Sequence, residues 1–191
     1  MTLVLGGARS GKSRYAERLV EAAAVSGTYV ATAEPGDDEM SARIAAHRAR
    51  RGPFWRTVEA PVRLAEAVAA EARPDDPVLV DCLTLWLSNL MLAGARLDEN
   101  FATLRAVLRD AAGPAVLVAN EVGLGLVPET PLGRRFRDEA GWLNQDIAAL
   151  ADRVVFVAAG LPLVLKDEVA NISSPPFRGG EGGAHRGAMG G

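Results

Sequence analysis

The sequence predicts an α/β fold, a mostly parallel sheet flanked by helices, and three observations predict it. Short runs rich in Val and Leu alternate with helical patterns along most of the chain. Those runs are apolar throughout, as strands covered on both faces are, instead of alternating apolar with polar. A glycine-rich loop joins the first run to the first helix.

Taken in order, Leu3–Leu5 is a buried strand and Lys12–Ala24 the helix that follows it. Thr28–Thr32 is the second strand, Asp38–Arg50 carries a helical pattern, and Phe54–Glu59 is a candidate further strand. Val62–Ala72 is helical, with Pro61 suited to its first turn because proline needs no N–H there. Val78–Val80 is a strand, and Leu83–Leu92 and Asn100–Ala111 are helices. Ala115–Ala119, the helix Leu132–Ala151 and the strand Val154–Ala158 complete the alternation. Parallel neighbours require crossover connections, which the helices supply. Residues 1–166 therefore form one domain. From Asp167 to Gly191 the chain holds seven glycines and the pair Pro175-Pro176, the composition of a disordered tail.

Composition narrows the function classes. With 191 residues and 49% hydrophobic side chains the chain buries a core of its own, without disulfides. Its lone cysteine, Cys82, has no partner for a bridge and no zinc-binding spacing around it, so a reducing cytoplasm fits. A net charge of −3 speaks against a general nucleic-acid binder. The longest apolar run, Val154 to Leu165, is too short to cross a membrane, which takes about 20 residues. No basic segment precedes the apolar start Thr2-Leu3-Val4-Leu5, so no cleaved signal peptide is expected.

Chemistry enters with Gly6-Gly7-Ala8-Arg9-Ser10-Gly11-Lys12-Ser13, a complete P-loop motif between a strand and a helix. Glycines let backbone amides converge on a phosphate, and the positive end of the helix faces the same anion. In that pattern Lys12 bridges the β- and γ-phosphates and Ser13 ligates Mg²⁺. Val78-Leu79-Val80-Asp81 ends an apolar run in an acid, which makes Asp81 the candidate carboxylate beside that Mg²⁺. Strand-ending acids also cap turns, the bland alternative.

Of two histidines, His185 lies in the tail, whereas His47 shares a helical face with Met40 and Ile44. A packing histidine is one account of that spacing. Arg43, Arg48, Arg50 and Arg51 supply the other, since guanidinium groups hold polyphosphates in bidentate fashion and disfavour imidazolium. A neutral ring nitrogen beside bound phosphate is a nucleophile for phosphorus.

These stretches, with Asp38-Glu39-Met40, Trp55-Arg56-Thr57, Asp81-Cys82-Leu83-Thr84, Asn120-Glu121-Val122-Gly123 and Phe136-Arg137-Asp138, resemble the bifunctional adenosylcobinamide kinase/adenosylcobinamide-phosphate guanylyltransferase family of cobalamin biosynthesis. The likeness runs from residue 3 to about 166, and the tail from Asp167 departs from it. It implies a RecA-like fold, a homotrimer and two reactions. In the first, ATP or GTP phosphorylates the aminopropanol hydroxyl of adenosylcobinamide, with Lys12 assisting. In the second, His47 takes GMP from GTP and passes it to adenosylcobinamide phosphate. By the same likeness Ala31, Thr32, Ala33, Arg48, Ala49, Arg50, Arg51, Glu59 and Asp81 join the loop in nucleotide binding. Two alternatives remain at this stage: a small-molecule P-loop kinase in which His47 only packs, and a RecA-like nucleotide-dependent switch or motor.

Overall fold

The computed structural model describes residues 1–34, 36, 45 and 51–168. His47, Arg48, Ala49 and Arg50, the helix expected over Asp38–Arg50 except for Ala45, and the chain after Glu168 lie outside the described residues.

Seven strands and five helices follow in chain order among the described residues: β1 Thr2–Gly6, α1 Lys12–Glu21, β2 Gly27–Ala31, β3 Trp55–Glu59, α2 Leu64–Glu71, β4 Val78–Asp81, α3 Leu83–Leu92, α4 Leu97–Asp110, β5 Ala115–Asn120, α5 Pro131–Leu150, β6 Arg153–Ala158 and β7 Leu161–Asp167. The strands form one sheet in the order β3-β2-β4-β5-β1-β6-β7. All neighbours are parallel except β6 and β7. This is the mostly parallel α/β sheet that the alternation of apolar runs predicts.

Why the strands are apolar on both faces is visible in the packing. Leu3, Leu5, Val30, Val78, Val80 and Leu117 point to one face, where α2, α3, α4 and α5 cover them. Val4, Tyr29, Leu79, Val116, Val118 and Val155 point to the other, against Ala16 and Val20 of α1. Successive side chains of one strand thus feed two different cores. Each fully buried Leu or Val contributes about 1.5–3 kcal/mol, so the central strands carry much of the stability.

Boundaries moved by a few residues for identifiable reasons. Helix α1 stops at Glu21, and the bond from Ala23 N–H to the Val20 carbonyl tightens the last turn. Helix α2 starts only at Leu64, leaving Pro61 ahead of it rather than in its first turn. Helix α4 starts earlier than predicted, with Asp98 and Glu99 in a first turn that favours negative charge. At α5, Pro131 occupies the first turn and the Thr130 hydroxyl accepts from Gly133 N–H at 3.1 Å.

The largest departure is β7, a strand absent from the sequence reading, which also placed its last residue, Asp167, in the tail. Ala159 and Gly160 both have positive φ, 51° and 78°, the geometry of a two-residue hairpin turn. They fold the second half of the apolar run back on β6, pairing Ala158 with Leu161. Pro162 is tolerated because β7 is an edge strand.

Candidate functional site

Parallel strands end together. Gly6, Ala31, Glu59, Asp81, Asn120 and Ala158 all close their strands at one edge of the sheet, and the predicted site residues that the structure describes lie along that edge except Arg51, which precedes β3 and reaches Tyr29 and Thr57 with its side chain.

The phosphate loop leaves β1 at Gly6. A Cβ there would lie 2.5 Å from the Val157 carbonyl oxygen and 2.6 Å from Ser10 Oγ, so no larger residue fits. Gly11, with φ 93°, caps α1 from a left-handed conformation open to glycine. Arg9 takes φ 56°, a conformation uncommon for a side-chain-bearing residue and frequent at ligand-binding turns. Lys12, first residue of α1, is 8% exposed, and its Nζ donates to the Gly7 carbonyl at 3.1 Å, so the ammonium folds over the loop. Ser13 follows, half-buried, at the positive end of the same helix. Ser10 Oγ is buried without a hydrogen-bond partner.

Two contacts from distant sequence hold the loop: Gly160 N–H donates to the Ser10 carbonyl at 2.8 Å, and Glu121 N–H donates to the Gly6 carbonyl at 3.1 Å. The Glu121 carboxylate, in turn, accepts from Gly123 N–H at 2.6 Å.

Asp81 ends β4 half-buried, and one of its oxygens accepts from the Tyr29 hydroxyl at 2.5 Å. Tyr29 comes from β2, next to β4, and is 1% exposed. Burial, and then the charge of Asp81, push its pKa far above the ordinary tyrosine value, so it stays a donor. The other face of Tyr29 carries Arg51, whose guanidinium carbon lies 3.4 Å from the ring centroid while Nη1 donates to Thr57 Oγ1 at 3.0 Å. Tyr29 was invisible as a site residue in the sequence, where it sits inside an apolar strand. The available signal was that a buried tyrosine hydroxyl needs an acceptor.

Thr32 is fully buried. Its hydroxyl donates to the Cys82 carbonyl at 2.7 Å and accepts from Cys82 N–H at 2.8 Å, while its own carbonyl accepts from Asn89 Nδ2 at 2.8 Å. The side chain thus braces the turn after Asp81 from within. Ala31 and Ala33 flank it, both half-buried. Burial pushes the Cys82 thiol up to about 12, keeping it protonated and inert as a nucleophile.

These residues fall into two groups. Lys12 and Ser13 follow β1, whereas Glu59 ends β3 and Arg51 lies just ahead of it, with β2, β4 and β5 between. Four strand spacings separate β1 from β3, roughly 19 Å at about 4.8 Å each. Asp81 and Tyr29 lie between the groups.

Oxygen donors are what Mg²⁺ takes, and the Ser13 hydroxyl and Asp81 carboxylate are of that kind, with the second Asp81 oxygen fixed by Tyr29. Among the described residues no cluster of three or more His, Cys, Asp or Glu forms a protein cage for a metal, and no helix is long and apolar enough to cross a membrane.

Comparison with known proteins bears on this geometry. The family model described as cobinamide kinase / cobinamide phosphate guanyltransferase matches residues 2–165. The chain is 53% identical over 168 residues to the bifunctional adenosylcobalamin biosynthesis protein CobP of Pseudomonas aeruginosa, covering 87% of this chain and 97% of that one. It is 41% identical over 182 residues to the bifunctional adenosylcobalamin biosynthesis protein CobU of Salmonella typhimurium, covering 87% and 99%. Among solved structures, the RadB recombinase aligns over 81% of this chain and 72% of that one, at 15% identity and a TM-score of 0.43.

Proposed function

The chain belongs to the cobinamide kinase / cobinamide phosphate guanyltransferase family, and from that membership we propose how its residues divide the two transfers. The enzyme is a cobinamide kinase and guanylyltransferase of cobalamin biosynthesis. The phosphate loop serves the first transfer. The hydroxyl of the aminopropanol arm attacks the γ-phosphorus of ATP or GTP, the bond to the leaving nucleoside diphosphate breaks, and the hydroxyl proton passes to water. Lys12 and the positive end of α1 hold charge developing on the transferred group. Ser13 and Asp81 would hold Mg²⁺, which when bound would offset the negative charge of the nucleotide's phosphates. Tyr29 orients Asp81 by occupying one of its oxygens.

The flank formed by Arg51 and Glu59, continuous in sequence with His47, serves the second transfer. A ring nitrogen of His47 attacks the α-phosphorus of GTP and pyrophosphate leaves. A phosphate oxygen of adenosylcobinamide phosphate then attacks the same phosphorus, breaking the P–N bond and giving adenosyl-GDP-cobinamide. Arg48, Arg50 and Arg51 receive the polyphosphate, and Ala31, Thr32, Ala33 and Ala49 belong to the same nucleotide-binding set.

One observation carries this division: Tyr29 holds Asp81 with its hydroxyl and Arg51 on its ring, so the two flanks meet at one side chain. The assembly is a homotrimer. The edge strand β7, with Leu161, Leu163, Val164 and Leu165 exposed, supports burial against another copy. The reducing interior of the cell fits a chain whose one cysteine is a buried free thiol.

GTP labelled at the α-phosphate tests the second transfer. The parent should acquire an acid-labile, base-stable label, and His47→Ala should acquire none while still phosphorylating adenosylcobinamide. Full labelling of His47→Ala would remove the histidine from the mechanism.

A further inference from the structure

On the opposite flank from Arg51 the site has a wall to which no step has been assigned. Asn144 Nδ2 of α5 donates to the carbonyl of Asn120, the last residue of β5, at 3.2 Å, which fixes the height of the helix against the sheet edge. The part of α5 before Asn144 leads back to the loop after β5, with Ala140 and Leu143 buried on its core side.

The loop leading to this wall is apolar where a soluble surface is ordinarily polar, whereas α5 up to Asn144 also carries Arg134, Arg135, Arg137, Asp138 and Glu139. Leu124 is 79% exposed, Leu126 96% and Val127 66%. Of three tryptophans, Trp55 and Trp86 are buried with their indole N–H groups bonded to Glu21 and the Val62 carbonyl. Trp142, on the wall, is 51% exposed. Beside it a groove of about 280 Å³ is lined by Gly123, Arg137, Asp138, Gly141, Trp142 and Gln145. Gly123 links the groove to the phosphate loop: its N–H bonds Glu121, whose own N–H bonds Gly6.

We propose that the groove at Trp142, with the apolar loop Leu124–Val127, is where the corrinoid ring of the acceptor lies. This rests on the reading that the chain phosphorylates cobinamide. A hydroxyl that attacks at the phosphate loop hangs from a corrin by a short arm, so the macrocycle must settle on the surface bordering the loop. A corrin is broad, flat and largely apolar, rimmed by carboxamide arms. Trp142 and the leucines offer a platform for such a ring. The Gln145 carboxamide and the paired Arg137 and Asp138, 3.0 Å apart, match amide arms without adding net charge. The groove volume seats one edge of the ring and its arms, with the remainder over the loop.

Corrinoids are coloured, so equilibrium dialysis of the full-length protein against adenosylcobinamide reads binding directly, without turnover. Trp142→Ala should weaken adenosylcobinamide binding about tenfold and raise its KM similarly, the loss expected for removing one aromatic platform. Trp142→Phe should recover most of it. The effect should be confined to the corrinoid, with KM for ATP moving less than about twofold. Unchanged corrinoid affinity in Trp142→Ala would overturn the inference. So would a change in sedimenting mass accompanying the loss, which would assign Trp142 to a contact between copies. Failure of the parent protein to bind or phosphorylate cobinamide would overturn the underlying substrate assignment instead, and is told apart by that control.

Discussion

Replacing Tyr29 by Phe removes one oxygen and leaves the ring in place. The ring keeps its edge contact with Trp55, at 5.7 Å and 88°, and its face to Arg51. What is lost is the 2.5 Å bond to Asp81. A hydrogen bond to a charged acceptor is worth about 1.5–3 kcal/mol, and because Asp81 is half-buried water regains part of it, so roughly 1–2 kcal/mol of stability should go. For a chain of this size that lowers Tm by about 2–8 °C. The Asp81 carboxylate should also turn more freely, raising the Mg²⁺ concentration for half-maximal kinase activity several-fold. The alkaline limb offers a sharper assay. Tyr29 has a pKa raised above the ordinary 10.0, so the folded state holds its proton more tightly than the unfolded state. Stability is then level with pH below about 10 and falls above it, by about 1.4 kcal/mol per pH unit. Chemical denaturation at pH 9 and 11 should show that fall in the parent and a fall smaller by about that amount in Tyr29→Phe. Identical pH dependence in the two proteins, with unchanged Mg²⁺ dependence, would refute the assignment of Tyr29 as the holder of Asp81.

Lys12→Ala should abolish kinase turnover, measured by phosphorylated cobinamide formed, while the circular dichroism spectrum stays that of the parent, because the ammonium contacts the loop and not the cores. Gly6→Ala forces a methyl within 2.5 Å of the Val157 carbonyl oxygen. It should cost about 1–3 kcal/mol in thermal denaturation and weaken nucleotide binding in the same variant. Truncation after Glu168 removes none of β7, so Tm should stay within about 2 °C of the parent. Truncation after Ala159 removes the whole strand together with the Gly160 bond to Ser10, and should lower both Tm and nucleotide affinity.

The sheet was legible because its strands are apolar on both faces, a pattern that only a doubly covered sheet requires, and the loop was legible because its fixed residues are chemistry rather than packing. The β7 strand was hidden for the opposite reason. Its residues Leu161, Leu163, Val164 and Leu165 face outward, so no burial period marks them, and Pro162 argues against a strand unless the strand is known to lie at an edge. The turn Ala159-Gly160 was the one available sign. Thr32 shows a different limit. A threonine at the end of a strand reads as a ligand contact or as a brace, and only the paired bonds to Cys82 show its hydroxyl turned inward. The groove at Trp142 was unreadable because it forms only where Gly123, after β5, comes beside α5, whose placement the bond between Asn144 and Asn120, residues 24 apart, helps to set.

The phosphate loop begins six residues from the start of the chain, yet its strand β1 lies between β5 and β6, and its Ser10 carbonyl is bonded by Gly160. During synthesis the loop therefore emerges well before either strand that flanks β1. Both strands flanking β1 arrive after residue 114, and the hairpin tip arrives later still. Pairings of such long sequence separation close slowly. ATP or GTP thus has no braced loop to bind while the chain is partly made, and a nascent chain cannot be rescued by its own substrate until the C-terminal hairpin has folded.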